Sequence, residues 1–284
     1  MTLFTPFSLN IRGRLVEFTR PAVMGILNIT DDSFYSGSRV AINEIGQRAK
    51  IMLSQGADIL DLGACSTRPG SEPVDEATEA ERLCQAVEAV RSAVGPDVPL
   101  SVDTFRAAVA RKAFESGANI INDISGGDLD TDMFTTVASL RAPYIIMHTR
   151  GNSANMQTLT DYQNVTVDVV AQLSRKLGIL EELGVADVIV DPGFGFAKTV
   201  EQNWQMLAQL RQFQLLGKPI LVGLSRKSMI TKLLGINADE ALTATAVAGA
   251  LALERGASIL RVHDPREAAQ SIAIINALIQ NQNV

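Results

Sequence analysis

Short runs rich in Val, Ile and Leu recur along the chain, each ending in a polar or charged residue and each followed by a stretch with helical spacing. Such runs fall at 22–28, 57–62, 98–103, 119–123, 143–148, 187–191, 219–224 and 258–262. Near-continuous apolarity predicts parallel strands buried on both faces. The intervening segments 40–55, 75–94, 105–116, 130–140, 161–183, 199–214, 239–255 and 265–280 read as helices. Several close on a glycine just before the next strand, as in Gln55-Gly56-Ala57, Ser116-Gly117-Ala118, Leu183-Gly184-Val185 and Arg255-Gly256-Ala257. Glycine there suits a left-handed helix C-cap. Repeated units with no topological break predict an α/β fold of the (β/α)8 TIM barrel type, with a doubly wound open sheet as the alternative. Residues 8–18 alternate as a short N-terminal β-hairpin with Arg12-Gly13 at its turn, placed to plug the barrel floor.

A parallel barrel gathers its strand ends at one mouth, where its chemistry resides. Asn28, Asp61, Asp103, Asn122, His148, Asp191, Ser225 and Arg261 stand at or just past those ends. Three loops on the same side, 28–39, 63–74 and 148–160, are longer than connectors need to be and read as binding elements.

Composition narrows the partners. The 284 residues are 46% hydrophobic, enough for one large core, so the chain is expected to be a single domain. A net charge of −6 offers no general basic field for nucleic acid, and any anion must be held by local cations. No apolar run approaches the roughly 20 residues that span a bilayer, and the N-terminus has no leader-like pattern. Cys65 and Cys84 form neither a metal knuckle nor a disulfide framework, and His148 and His263 are the only histidines, which argues against a tightly held transition metal. A cytoplasmic protein is expected.

The strand ends carry distinctive phrases: Asn28-Ile29-Thr30-Asp31-Asp32-Ser33-Phe34, Ser66-Thr67-Arg68-Pro69-Gly70, Ser101-Val102-Asp103-Thr104-Phe105, Asn122-Asp123-Ile124-Ser125-Gly126-Gly127, Asp191-Pro192-Gly193-Phe194-Gly195-Phe196-Ala197-Lys198, Gly223-Leu224-Ser225-Arg226-Lys227-Ser228 and Arg261-Val262-His263-Asp264. In this order they closely resemble the dihydropteroate synthases, pterin-binding barrels that join a pterin methyl diphosphate to 4-aminobenzoate. The resemblance implies a pterin set of Asp103, Asn122, Met147, Asp191, Phe196 and Lys227, in which carboxylates and an amide read the flat polar edge of the ring. It places Thr67, Arg68, Arg261 and His263 at the diphosphate, Phe34, Thr67, Pro69 and Ser228 around 4-aminobenzoate, and Asn28 on a Mg²⁺ ion. Asp103, Lys227, Arg261 and His263 are the implied catalytic residues. A homodimer through outer helices is also implied, with the apolar stretch 241–253 as a compatible surface.

Each residue has a plainer reading. A strand-end Asp can cap the next helix, Arg261 can pair with Asp264 or Glu267, and Asn28 can face solvent in a turn. The chain also departs from the family pattern at Asp31, at Ala64-Cys65 and at Asp128. Two rivals to the synthase remain at this point: a pterin-dependent methyltransferase of the same barrel class, and a noncatalytic pterin or phosphate binder.

Overall fold

In a computed structural model of the chain, residues 4–29, 39–64 and 74–281 are described, the side chains of 39–43 excepted. Strands β1 (Phe7–Ile11) and β2 (Arg14–Phe18) pair antiparallel from Phe7↔Phe18 to Ile11↔Arg14. The connection is two residues, Arg12 at φ 52° and Gly13 at φ 85°, the left-handed pair that a tight hairpin turn requires.

The barrel strands are β3 (Ala22–Asn28), β4 (Ile59–Gly63), β5 (Leu100–Asp103), β6 (Ile120–Asp123), β7 (Tyr144–Met147), β8 (Val188–Asp191), β9 (Leu221–Val222) and β10 (Ile259–Val262). All their pairings are parallel, in the order β8-β7-β6-β5-β4-β3-β10-β9. The ring closes where Val190 bridges Ile220, with the Val190 N–H donating to Pro219 O at 2.9 Å. The open-sheet alternative is thereby excluded. The seventh barrel strand covers only Leu221–Val222 of the 219–224 run, with Ile220 joined to β8 by the closing bridge.

Helices α1 (Arg39–Ser54), α2 (Glu76–Val94), α3 (Ala107–Glu115), α4 (Met133–Leu140), α5 (Val165–Glu182), α6 (Val200–Ala208), α7 (Ser228–Leu234), α8 (Leu242–Glu254) and α9 (Pro265–Gln280) surround the ring. The expected helix 199–214 ends at Ala208 and continues as a 3-10 segment, Leu210–Leu216. Helix α7 was not expected from the sequence, because seven residues are too few to display a helical period. The glycine caps are as expected: Gly56, Gly117, Gly184 and Gly256 all have positive φ. Each donates to a carbonyl three residues back, and the following residue donates five back, as Ala57 does to Met52 O at 3.0 Å.

Successive strand residues point alternately in and out. The outward set packs under the helices in the large core cluster, including Leu60, Leu62, Val102, Ile121, Ile146 and Val190. The inward set begins with a lower apolar layer of Met24, Ile59, Ile120, Ile145, Ile189, Leu221 and Ile259, and Leu9, Ile11 and Phe18 of the hairpin close it from below. Two residues further along the same strands the inward positions become Asp61, Asn122, Met147, Asp191 and Arg261. The barrel is therefore greasy at its floor and polar at its mouth. Among the described residues no helix is long and apolar enough to cross a membrane.

Leu9 is fully enclosed beneath the barrel, so Leu9→Ala is expected to cost about 2–5 kcal/mol. Denaturant unfolding checks the loss. Ligand affinity of the folded variant should stay at the wild-type value, because the floor lies a full layer from the mouth.

Candidate active site

Asp61, at 0% exposure, and Asp103, at 9%, are carried into the barrel by neighbouring strands β4 and β5. Arg261 reaches them from β10. Its Nε donates to Asp61 Oδ2 at 2.7 Å, and its Nη2 lies 2.6 Å from the same oxygen and 2.8 Å from Asp103 Oδ2. Asn122 of β6 donates its Nδ2 to Asp61 Oδ2 at 3.2 Å. One carboxylate oxygen thus accepts from residues on two other strands. This settles two plainer readings. Asp103 is not an N-cap, since Arg106 occupies that position of α3, and Asp264 pairs with Arg226 while Arg261 takes Asp61 and Asp103.

On the far wall, Asp191 accepts the Gly193 N–H at 2.7 Å through Oδ1, turning the chain sharply out of β8. Gly193 has φ 73°, and a Cβ there would stand 1.9 Å from His148 O. Only glycine permits the β8 loop to lie so closely on the β7 loop. Lys198 locks that contact: its Nζ meets His148 Nδ1 at 3.0 Å, Gly193 O at 2.9 Å and Phe196 O at 3.0 Å. Burial pushes the Lys198 pKa down to about 7 and that of His148 down to about 2, so the imidazole is neutral beside the lysine nitrogen. The loop so held presents Phe196, whose ring lies 4.3 Å beneath Lys227 Nζ. The methylenes of Lys227 rest against Gly195, with Cδ 3.2 Å from where a Cβ would be. Met147, 3% exposed, fills the space between the β6 and β8 residues.

The loops after β9 and β10 are fastened together. Ser225 Oγ lies 2.9 Å from His263 Nδ1 and accepts the His263 backbone N–H at 3.3 Å. Arg226, at φ 58°, grips Asp264 with Nη2 at 2.9 Å and 3.1 Å. Lys227 and Ser228 follow directly, at the N-terminal end of α7.

Asn28 is exposed at the end of β3 and its Oδ1 leans over Gly63, 3.7 Å from where a Cβ would sit. The same absent Cβ would be 4.0 Å from Asp103 Oδ2, so Gly63 leaves room between the two oxygens. Among the described residues no cluster of three or more His, Cys, Asp or Glu side chains is arranged to hold a metal. Thr67, Arg68, Pro69 and Phe34, together with Asp31 and Cys65, lie outside the described residues. Asp128 is paired with Lys176 at 2.8 Å.

Electrostatics follow from this crowding. Burial raises the Asp103 pKa to about 7 against the pull of Arg261, and burial also raises that of Asp191. Burial lowers Lys227 to about 8 in spite of Asp191. For Arg261 burial opposes the charge, but Asp61 and Asp103 outweigh it and hold the guanidinium firmly protonated. The structure brings Asp103, Asn122, Met147, Asp191, Phe196, Lys227, Arg261 and His263 to one mouth. Sequence reasoning left Asp61 and Lys198 without roles; Asp61 was recognisable as a strand-end charge, whereas nothing about Lys198 betrayed its burial.

Known proteins agree with this geometry. The family described as pterin binding enzyme matches residues 24–263. A dihydropteroate synthase from Synechocystis sp. is 42% identical over 263 residues, covering 91% of this chain and 90% of that protein. One from Escherichia coli is 35% identical over 271 residues, covering 94% and 95%. Among solved structures, Yersinia pestis dihydropteroate synthase in a sulfonamide drug complex superposes with a TM-score of 0.89 at 35% identity, covering 97% and 100% of the two chains. The Xanthomonas albilineans enzyme with 4-aminobenzoic acid gives 0.88 at 34% identity, covering 96% and 98%. A match that runs from β3 to just past β10, with relatives aligned over nearly their whole length, places this chain in the pterin-binding enzyme family, among the dihydropteroate synthases.

Proposed function

We infer that this protein is a dihydropteroate synthase of folate biosynthesis, condensing (7,8-dihydropterin-6-yl)methyl diphosphate with 4-aminobenzoate to give 7,8-dihydropteroate and diphosphate. The observation that carries the reading is the convergence of Asp103, Asn122, Asp191 and Lys227 on one polar mouth above a sealed apolar floor. Hydrogen-bonding groups held in such a cup discriminate strongly, because a ligand that fails to pair with them leaves them buried and unsatisfied. Asp191 and Asn122 take the donor edge of the pterin, Lys227 its carbonyl side, and Met147 and Phe196 its faces.

Chemistry follows from charge. Departure of diphosphate leaves positive charge on the pterin methylene, delocalised into the electron-rich ring, and the Asp103 and Asp191 carboxylates favour that state. Lys227, His263 and the Arg261 Nη1, the guanidinium nitrogen that neither carboxylate takes, stabilise the leaving anion from the β9 and β10 side. An arylamine attacks through its lone pair without prior deprotonation, so an SN1-like alkyl transfer needs no strong base. Thr67 and Arg68 complete the diphosphate site in this reading, while Phe34, Pro69 and Ser228 surround 4-aminobenzoate. Asn28 suits Mg²⁺, since its exposed amide oxygen is a hard donor with clear space beside Gly63, and this ion commonly takes few protein ligands and leans on phosphate and water. When bound, Mg²⁺ would offset diphosphate charge.

We also propose a homodimer. Val247 and Leu251 on α8 and Ile274 and Leu278 on α9 are 57%, 42%, 68% and 50% exposed on two adjacent helices, an apolar face that a second copy would cover.

Diphosphate release from both substrates together tests the activity and separates it from a methyltransferase or a noncatalytic binder. In that assay Lys227→Ala and Asp191→Asn are each expected to lower kcat/KM by at least about 100-fold. Near-normal turnover of Lys227→Ala would remove its role. The pH profile of kcat/KM should be bell-shaped: Asp103 must be ionised, so activity falls as pH drops through about 7, and Lys227 must be charged, so it falls as pH rises through about 8. Lys227→Arg should carry the alkaline limb to higher pH if this lysine sets it. For the dimer, Ile274→Glu is expected to yield monomers by light scattering, and an unchanged dimer mass would rule out this face.

A further inference from the structure

Asp61 lies within reach of the ligand pocket, yet the reaction as derived gives it no contact with substrate. It is fully enclosed, and one oxygen, Oδ2, accepts from Arg261 Nε, Arg261 Nη2 and Asn122 Nδ2, while Oδ1 has no hydrogen-bond partner among the described residues. Arg261 is tied a second time, to Asp103 at 2.8 Å. The bond to Asn122 has a different consequence. A side-chain amide has a donor end and an acceptor end at about 120° to each other, and the two ends are nearly alike in shape. Whichever end Asp61 takes, the other is left for a ligand.

We propose that Asp61 is the specificity-setting residue of this pocket: by accepting the Asn122 Nδ2 it fixes the amide so that its oxygen meets the ligand, making the pocket select a ring edge that donates hydrogen bonds. The inference rests on the reading of the mouth as a pterin site and extends it to a residue that touches no substrate. A carboxylate is suited to the task because it can only accept, so the Asn122 amide has no reason to turn its oxygen inward. Asp191, whose Oδ1 is taken by the Gly193 N–H, presents a second acceptor two strands along the ring, on β8. With Asn122 locked, both residues offer acceptors, which fits the amino and imino edge of a pterin. If the amide were free to flip, Asn122 would also offer a donor, and rings carrying a carbonyl in place of the amino group would become competitors.

Arg261 complicates any simple affinity measurement, since loss of Asp61 also releases the guanidinium from one of its two anchors. The useful quantity is therefore a ratio. We compare binding of 6-hydroxymethylpterin with that of the 2-oxo ring of the same shape, in which a carbonyl replaces the amino group, by isothermal titration calorimetry on the intact protein. Losses common to both ligands cancel. Wild type should prefer the amino ring by about 100-fold or more. Asp61→Ala should cut that preference at least about tenfold, because the amide can then turn either end to the ligand. Asp61→Asn keeps one acceptor oxygen able to occupy the place of Oδ2, and its preference should remain within about threefold of wild type. Should Asp61→Ala fail to fold, Asp61→Ser takes its place. A purely structural Asp61 would lower the melting temperature of Asp61→Ala and leave the preference unchanged, and that result overturns the proposal. Wild type that binds neither ring would instead overturn the pterin reading itself.

Discussion

Everything in this molecule rests on the two-residue period of a closed parallel ring. Once β8 is joined to β9 through Val190 and Ile220, no barrel strand has a free edge and every inward side chain faces its counterparts across a small interior. The interior cannot be emptied, so its lower layer is filled by Met24, Ile59, Ile120, Ile145, Ile189, Leu221 and Ile259 and stoppered by the hairpin. One step up, the same columns deliver Asp61, Asn122, Asp191 and Arg261. Polar groups can be buried there because most of them pair with one another, as Asp61, Asp103, Asn122 and Arg261 do.

The mouth crowds buried acids and bases together. Asp61, Asp103 and Asp191 face Arg261 and Lys227, with Lys198 close behind, so full ionisation gathers several charges in a site largely closed to solvent. Burial answers by lifting the pKa values of Asp103 and Asp191 and lowering that of Lys227. A site so poised gains most when positive charge develops on a bound ring, which is the event a departing diphosphate creates. The supporting shell keeps the groups in place: Lys198 holds the β8 loop to the β7 loop, and the Ser225–His263 and Arg226–Asp264 contacts hold the β9 loop to the β10 loop. Neither pair of loops needs a ligand to define its geometry.

Much of this was legible before any coordinates. The repeated apolar runs, the glycine caps with their positive φ and the alternating 8–18 hairpin all report local physics: burial on both strand faces, the left-handed turn that ends a helix, and the tight turn at Arg12-Gly13. Helix α7 was not legible, since its few residues cannot reveal a period, and neither was the shortening of the helix after Ala208, where tertiary packing takes over from local preference.

The sequence alone determined the fold class, the face on which the chemistry gathers and the residue types present there, because each follows from patterns within a few tens of residues and from phrases shared along the whole chain. Only the tertiary structure decided who pairs with whom. Arg261 meets Asp61 from 200 positions away, at 2.7 Å, where the sequence offered the nearer Asp264 and Glu267. Lys198 is sealed inside with His148 rather than exposed. Such choices depend on which side chains the closed ring and its tightly stacked loops bring within hydrogen-bond reach, and no separation along the chain encodes that distance.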